Sequence, residues 1–135
     1  VATDGLEGIP KSGPRVLLFA PAGEYHEIPL LTANYFFKKA GIPTIYFGTN
    51  VSADCLVYYL SHHRVDYLYT HVITFLNDTS PEEYLAELKQ HYNGRIIRSG
   101  PGFRNIQEDT SCEIVLHSLN ELVSFTGDLA QGVPI

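Results

Sequence analysis

"RVLLFAPAGEYHEIPLL" (residues 15–31) decides how the chain is read. Val16 to Ala20 are short and continuously apolar, the pattern of a strand buried on both faces. A Pro-Ala-Gly turn follows, then Glu24-Tyr25-His26-Glu27. Pro29 comes next, and it fits the first turn of a helix, where a missing N–H costs nothing. Leu30, Ala33, Phe37 and Ala40 recur at helical steps, so a helix over 29–40 has one apolar face. Gly41 suits the position just past its end, and Lys38 and Lys39 suit its negative pole. The stretch is therefore a strand–turn–helix unit whose turn carries a histidine between two carboxylates.

The same unit recurs downstream. "PTIYFG" (43–48) reads as a second strand, followed by a helix capped by Ser52 and running to His62 or His63, with Leu56, Val57 and Leu60 inward. "VDYLYTHVI" (65–73) is a third strand. The next helix is capped by Ser80, with Pro81 at its first position and Glu83 completing a capping box. Leu85, Leu88 and Tyr92 line its core side, and Gly94 stops it. "RIIRSGPG" (95–102) is a fourth strand ending in a tight Gly/Pro loop, and "CEIVL" (112–116) a short fifth. Ser118 with Glu121 predicts a capping box for a last helix ending near Gly127. Strands alternating with helices imply a parallel sheet covered on both faces. Five such units in this length fit a flavodoxin-like, doubly wound α/β fold with strand order 2-1-3-4-5.

Length and composition agree. The chain has 135 residues, 44% hydrophobic and 18% charged, as a single globular domain would. Its net charge of -6 makes it a poor nucleic-acid surface on its own. The two cysteines, Cys55 and Cys112, form no C-x-x-C pair. They read as buried thiols and fit a reducing, cytoplasmic setting. No apolar run nears the ~20 residues that span a bilayer. The absence of methionine and the loose, Gly/Pro-rich opening give two expectations. Residues 1–13 are a linker into a domain over 14–130, and the chain is a piece of a longer protein.

In this fold ligands bind beyond the carboxyl ends of the strands, at the switch point between strands 1 and 3. Glu24, His26, His71 and the Ser99-Gly100-Pro101-Gly102 loop fall there. A phospho-acceptor receiver is excluded by type, because strand 1 ends in Ala20-Pro21, strand 3 in Thr70-His71, and His117 follows strand 5. A flavin phosphate would be repelled by the carboxylates of "PAGEYHE". Two roles are open to His26: a metal ligand braced by Glu24, or a helix-entry residue bonded to backbone. A single imidazole holds a bare ion poorly, so the metal should arrive inside a cofactor.

On these residues the segment resembles the cobalamin-binding domain of methionine synthase, methylmalonyl-CoA mutase and MerR-type regulators. Their signature after strand 1 is D-x-H-x-x-G, with Glu often first in the regulators. Glu24 and His26 match it, and Pro29 stands for the glycine. His71 and Ile73 stand at the family's S-x-L positions, and Ser99-Gly100 at its Gly-Gly pair. "GEYHEIPLL" and "KKAGIPTIYFGTNV" are most similar to the MerR branch, and the match in element order covers residues 14 to 127.

The resemblance implies a sensor domain, not an enzyme, with cobalamin as cofactor and cobalt ligated by His26, which Glu24 orients. His71, Ile73, Ser99, Gly100 and Gly102 would line the channel for the nucleotide tail. A homo-oligomer and contact with DNA through a helix-turn-helix elsewhere in the protein are implied as well. Two alternatives stand beside it. One is a degenerate relative kept for dimerisation or another small ligand. The other is the cobalamin carrier domain of a methyltransferase or mutase. No general acid/base pair, nucleophile triad or P-loop is present.

The remaining polar residues have plain roles. Glu27 is expected as a first-turn carboxylate interacting with the helix dipole, and His62 and His63 as a solvated helix end. Asn77, Asp78 and Ser80 read as loop and cap residues.

Overall fold

A computed structural model describes residues 14–74 and 80–132. The expected linker over 1–13 and the loop residues Asn77 and Asp78 lie outside them. In chain order the elements are β1 (Val16–Pro21), α1 (Ile28–Lys39), β2 (Thr44–Val51), α2 (Ala53–Leu60), β3 (Tyr67–His71), α3 (Pro81–His91), β4 (Arg95–Ser99), β5 (Glu113–Leu116) and α4 (Leu119–Ala130). A short 3-10 turn, Pro101–Phe103, follows β4. All strand pairs are parallel, and the order is β2-β1-β3-β4-β5, the 2-1-3-4-5 arrangement read from the sequence.

β1 sits between β2 and β3, and every one of its residues is buried. Successive side chains point to opposite faces. Val16, Leu18 and Ala20 face α1 and α4 with Leu30, Ala33, Phe37, Leu122 and Phe125. Leu17 and Phe19 face α2 and α3 with Leu56, Leu85 and Leu88. Full burial of each leucine contributes about 1.5–3 kcal/mol, so this strand anchors both halves of the core.

Local signals set the helix ends. Ser52, Ser80 and Ser118 each accept from a backbone N–H three residues on. The box at Ser80 and Glu83 is complete. At α4 the Glu121 carboxylate instead reaches the His117 N–H, one residue before the cap, so the expected box is only half made. Gly41 takes φ +83°, the left-handed conformation that ends α1.

Some boundaries shift. β2 extends to Val51, α2 ends at Leu60, and α4 runs through Gly127 to Ala130. Tyr84 joins Leu85 and Leu88 in the buried face of α3, its hydroxyl donating to the Val51 carbonyl at 2.7 Å. Cys55 is exposed and Cys112 half-buried, which corrects the expectation of two buried thiols. Cys55 lies in the first turn of α2, beside Asp54 and away from Leu56.

The edge of the sheet holds a buried ion network. Glu113 accepts from Arg98 Nε at 2.9 Å, from the Asp109 N–H at 3.0 Å and from Lys89. Arg98, 1% exposed, also donates to the carbonyls of Phe103 and Ile106, tying the loop after β4 to the sheet. Burial pushes the Glu113 carboxyl up, but its bonds to Lys89, Asp109 and Arg98 outweigh this and hold it low. Glu113→Ala strands the buried guanidinium and should cost about 3 kcal/mol. Urea unfolding reads this as a lower midpoint at unchanged slope. A loss under about 0.5 kcal/mol would contradict the role given to Glu113.

Candidate functional site

The turn after β1 is built by a few specific bonds. The Glu24 N–H donates to the Pro21 carbonyl at 2.9 Å. Asn50, at the end of β2, takes φ +59°. Asparagine tolerates that left-handed conformation better than most residues. It accepts from the Gly23 N–H through its side chain at 3.1 Å and donates its own N–H to the Glu24 carbonyl at 3.1 Å. Gly23 itself has φ +93°. β2 thus fixes the turn that β1 delivers.

Glu24 is 0% exposed, unusual for a carboxylate, and its bonding explains why. Oε1 accepts from the N–H groups of Ile73 at 2.8 Å and Thr74 at 3.0 Å. Oε2 accepts from the His26 N–H at 3.1 Å and lies 2.5 Å from His26 Nδ1. Burial pushes this carboxyl up, but the bonds from His26, Ile73 and Thr74 outweigh it and hold it below its usual value. An ionised carboxylate only accepts, so the shared proton sits on His26 Nδ1, which leaves Nε2 as the nitrogen turned away from Glu24. The His26 side chain is 53% exposed. Among the described residues Nε2 has no partner, so the imidazole is oriented from behind and open in front.

Glu27 differs from the expectation. It occupies the cap position of α1 without a side-chain cap bond, and its carboxylate accepts from the Tyr46 hydroxyl at 2.9 Å. Burial, that bond and the adjacent charge push the Tyr46 phenol up to about 12. His62 and His63 do form an exposed helix end, each with Nδ1 on a carbonyl four residues back.

The ends of β3 and β4 interlock beside the turn. His71 Nδ1 lies 2.7 Å from Ser99 Oγ, and the Tyr69 hydroxyl lies 2.9 Å from the same oxygen. Burial lowers the His71 imidazole, the Glu24 charge raises it, and His26 lowers it again, with a net fall. Gly100 has φ +99°, and a Cβ there would stand 2.4 Å from the Val72 carbonyl oxygen. A Cβ on Gly102 would stand 2.3 Å from Val72 Cγ1. Both positions need glycine for the loop to close against β3.

A cavity of about 840 Å³ opens between α1, α4, the carboxyl ends of β3, β4 and β5, and the loop after β4. Its lining includes Pro29, Tyr69, His71, Ser99, Gly100 and His117. Of the residues expected to line a tail channel, His71, Ser99 and Gly100 stand in this cavity's wall. Ile73 gives its main-chain N–H to Glu24, and Gly102 seats the loop on Val72 through its N–H at 2.7 Å. Neither Ile73 nor Gly102 is in the cavity wall, nor are Glu24 and His26. Sequence reasoning missed Asn50, Tyr69 and the Thr74 N–H. Only Asn50 carried a signal, as a left-handed-tolerant residue at a strand end. Among the described residues, no three or more His, Cys, Asp or Glu cluster to hold a bare metal ion. No helix among them is long and apolar enough to cross a membrane.

No protein-family model and no curated protein matches the sequence. The fold does match solved structures. The methanol:cobalamin methyltransferase complex MtaBC from Methanosarcina barkeri superposes at TM-score 0.69 with 12% identity, over 95% of this chain and 50% of that one. The Methanosarcina barkeri monomethylamine corrinoid protein gives 0.67 with 12% identity, over 88% and 59%. A cobalamin-binding protein from Desulfitobacterium hafniense DCB-2 gives 0.61 with 13% identity, over 92% and 60%. The chain thus spans between half and three-fifths of the structures it matches. At this identity the likeness shows the flavodoxin-like fold.

Glu24→Gln tests the bonding of the turn. One amide oxygen can serve Ile73 and Thr74, but the NH2 group then faces the His26 N–H. The expected cost at neutral pH is about 1–3 kcal/mol, read by urea unfolding. The folded pKa of Glu24 is depressed, so its stabilisation is present above 4.5 and lost as pH falls through the lower folded value. The gap between wild type and Glu24→Gln should therefore narrow in acid. A gap that widens or stays constant would contradict the bonding described.

Proposed function

We propose that this chain is a cobalamin-binding domain. In this reading His26 ligates cobalt through Nε2 and Glu24 orients the ring. The cavity between α1 and α4 takes the nucleotide tail, with His71, Ser99 and Gly100 in its wall. Ile73 contributes through its N–H to Glu24, and Gly102 by letting the loop seat. The observation that carries the reading is the Glu24–His26 couple: a buried, fully bonded carboxylate behind an exposed imidazole with one nitrogen free. A ligating histidine needs this arrangement, because the partner on the far nitrogen fixes the tautomer and raises basicity. The three structural neighbours, named for cobalamin or corrinoid, add support.

The domain's own residues bind, orient and shield, and no reaction step is assigned to them. When bound, the cofactor would supply cobalt–carbon chemistry, with His26 and the cavity wall holding it. Two of the neighbours are named for a methyltransferase complex and a monomethylamine corrinoid protein, which favours a carrier domain serving a methyltransferase. The second reading is a sensor domain of a MerR-type regulator, reaching DNA through a helix-turn-helix elsewhere in the protein. It is favoured by Glu24 preceding the histidine and by the likeness of "GEYHEIPLL" to that branch. A coding sequence continuing into a methyltransferase barrel would decide for the carrier, and one continuing into a helix-turn-helix for the sensor.

Cofactor binding is tested by mixing the chain with methylcobalamin in the dark and passing it through a desalting column. A retained red colour with a histidine-ligated absorption spectrum is expected. His26→Ala should abolish that spectrum, and Glu24→Ala should weaken binding about 10–100-fold. Colour lost from the wild type, or a spectrum indifferent to His26→Ala, would overturn the reading.

A further inference from the structure

Tyr69, Ser99 and His71 form a chain of three polar groups whose hydrogens must all be placed. Tyr69 is 2% exposed and Ser99 9% exposed. The Tyr69 ring packs edge-on against Phe37, in the apolar layer between the sheet and α1. Among the described residues the Tyr69 hydroxyl meets one polar group, Ser99 Oγ at 2.9 Å, and Ser99 Oγ meets one other, His71 Nδ1 at 2.7 Å.

Among the described residues only one direction gives both buried hydroxyl hydrogens a protein acceptor, and it leaves the one unpartnered hydrogen on the half-buried His71 ring at the cavity. If His71 Nδ1 donated to Ser99, then either the tyrosine or the serine hydrogen would have no acceptor. A buried donor without an acceptor carries the full cost of its desolvation. The tyrosine therefore donates to the serine, the serine donates to Nδ1, and the neutral imidazole carries its proton on Nε2. That nitrogen lies beside Gly100, 3.0 Å from where a Cβ would stand, and both residues are in the cavity wall.

We propose that Ser99, itself held by the Tyr69 hydroxyl, is a positioning residue that locks His71 as an Nε2–H donor in the cavity wall. The cavity then accepts a ligand whose buried end is a hydrogen-bond acceptor. Assigning that end to the tail of a complete cobalamin rests on the function proposed above. The Tyr69–Ser99–His71 relay itself does not.

The test has two arms. A long-range nitrogen–proton correlation spectrum of the chain, alone at neutral pH, should show His71 as the Nε2–H tautomer. Ser99→Ala removes the hydroxyl that donates to Nδ1, so it should give mixed His71 tautomers. An Nδ1–H or doubly protonated His71 in the wild type, or an unchanged pure tautomer in Ser99→Ala, would overturn the relay. In the second arm, affinities for cobalamin and for cobinamide, which lacks the tail, are compared in wild type and His71→Phe. The preference for cobalamin should fall about five- to tenfold, the factor one hydrogen bond represents, with cobinamide affinity unchanged. An equal loss for both corrinoids, or no change in preference, would overturn the tail assignment. If the wild type binds neither, the cobalamin reading fails and the tail assignment with it. The relay is then judged by the spectra alone.

Discussion

Glu24 is the constraint on which the rim of this sheet depends. A buried carboxylate survives only when nearly all its lone pairs are used. Here they are used by two segments: its own turn, through His26, and the chain leaving β3, through Ile73 and Thr74; Asn50 at the end of β2 bonds the Glu24 main-chain carbonyl. The Glu24 side chain therefore joins the carboxyl ends of β1 and β3, the strands that flank the switch point, and its main-chain carbonyl adds β2. The same bonds that make its burial tolerable also aim the histidine. Positioning and stability are not separate functions at this site.

The second consequence is a division of the rim into two parts. On the β1 side an imidazole is braced by a charge and left open to solvent. On the β3–β4 side another imidazole is braced by a neutral hydroxyl chain and turned toward a cavity. Burial keeps the second ring neutral, whereas the first is backed by an ionised partner. Two histidines in one rim are thus given different chemistry by what stands behind them. Gly100 and Gly102 allow this, because any side chain at either position would collide with Val72 and push the loop away from β3.

Much of this was legible in the residues. The continuous apolar run at Val16–Ala20 and the serine caps at 52, 80 and 118 encode the element order by local physics. The order 2-1-3-4-5 followed from alternation and length. Glu24 and His26 were legible as a pair because two residues of separation in a turn bring the carboxylate under the ring. The Ile73 and Thr74 N–H groups were not, since main-chain donors have no sequence signature and their approach depends on strand register. The Tyr69–Ser99–His71 chain was hidden for the same reason: Ser99 and Tyr69 are 30 residues apart and meet only through the pairing of β3 with β4. The exposure of Cys55 was misread because helix phase, not residue type, decides which face the side chain takes.

The central claim is that His26 Nε2 is the nitrogen beneath cobalt. The most direct measurement is the electron paramagnetic resonance spectrum of cob(II)alamin bound to the chain, in which the unpaired electron couples to the axial nitrogen. With ordinary histidine the coupling should appear as triplets. In protein whose histidine is labelled with nitrogen-15 they should become doublets, and the effect should vanish in His26→Ala. Triplets that persist in the labelled protein would place the cofactor's own base, not His26, beneath the metal and contradict the account.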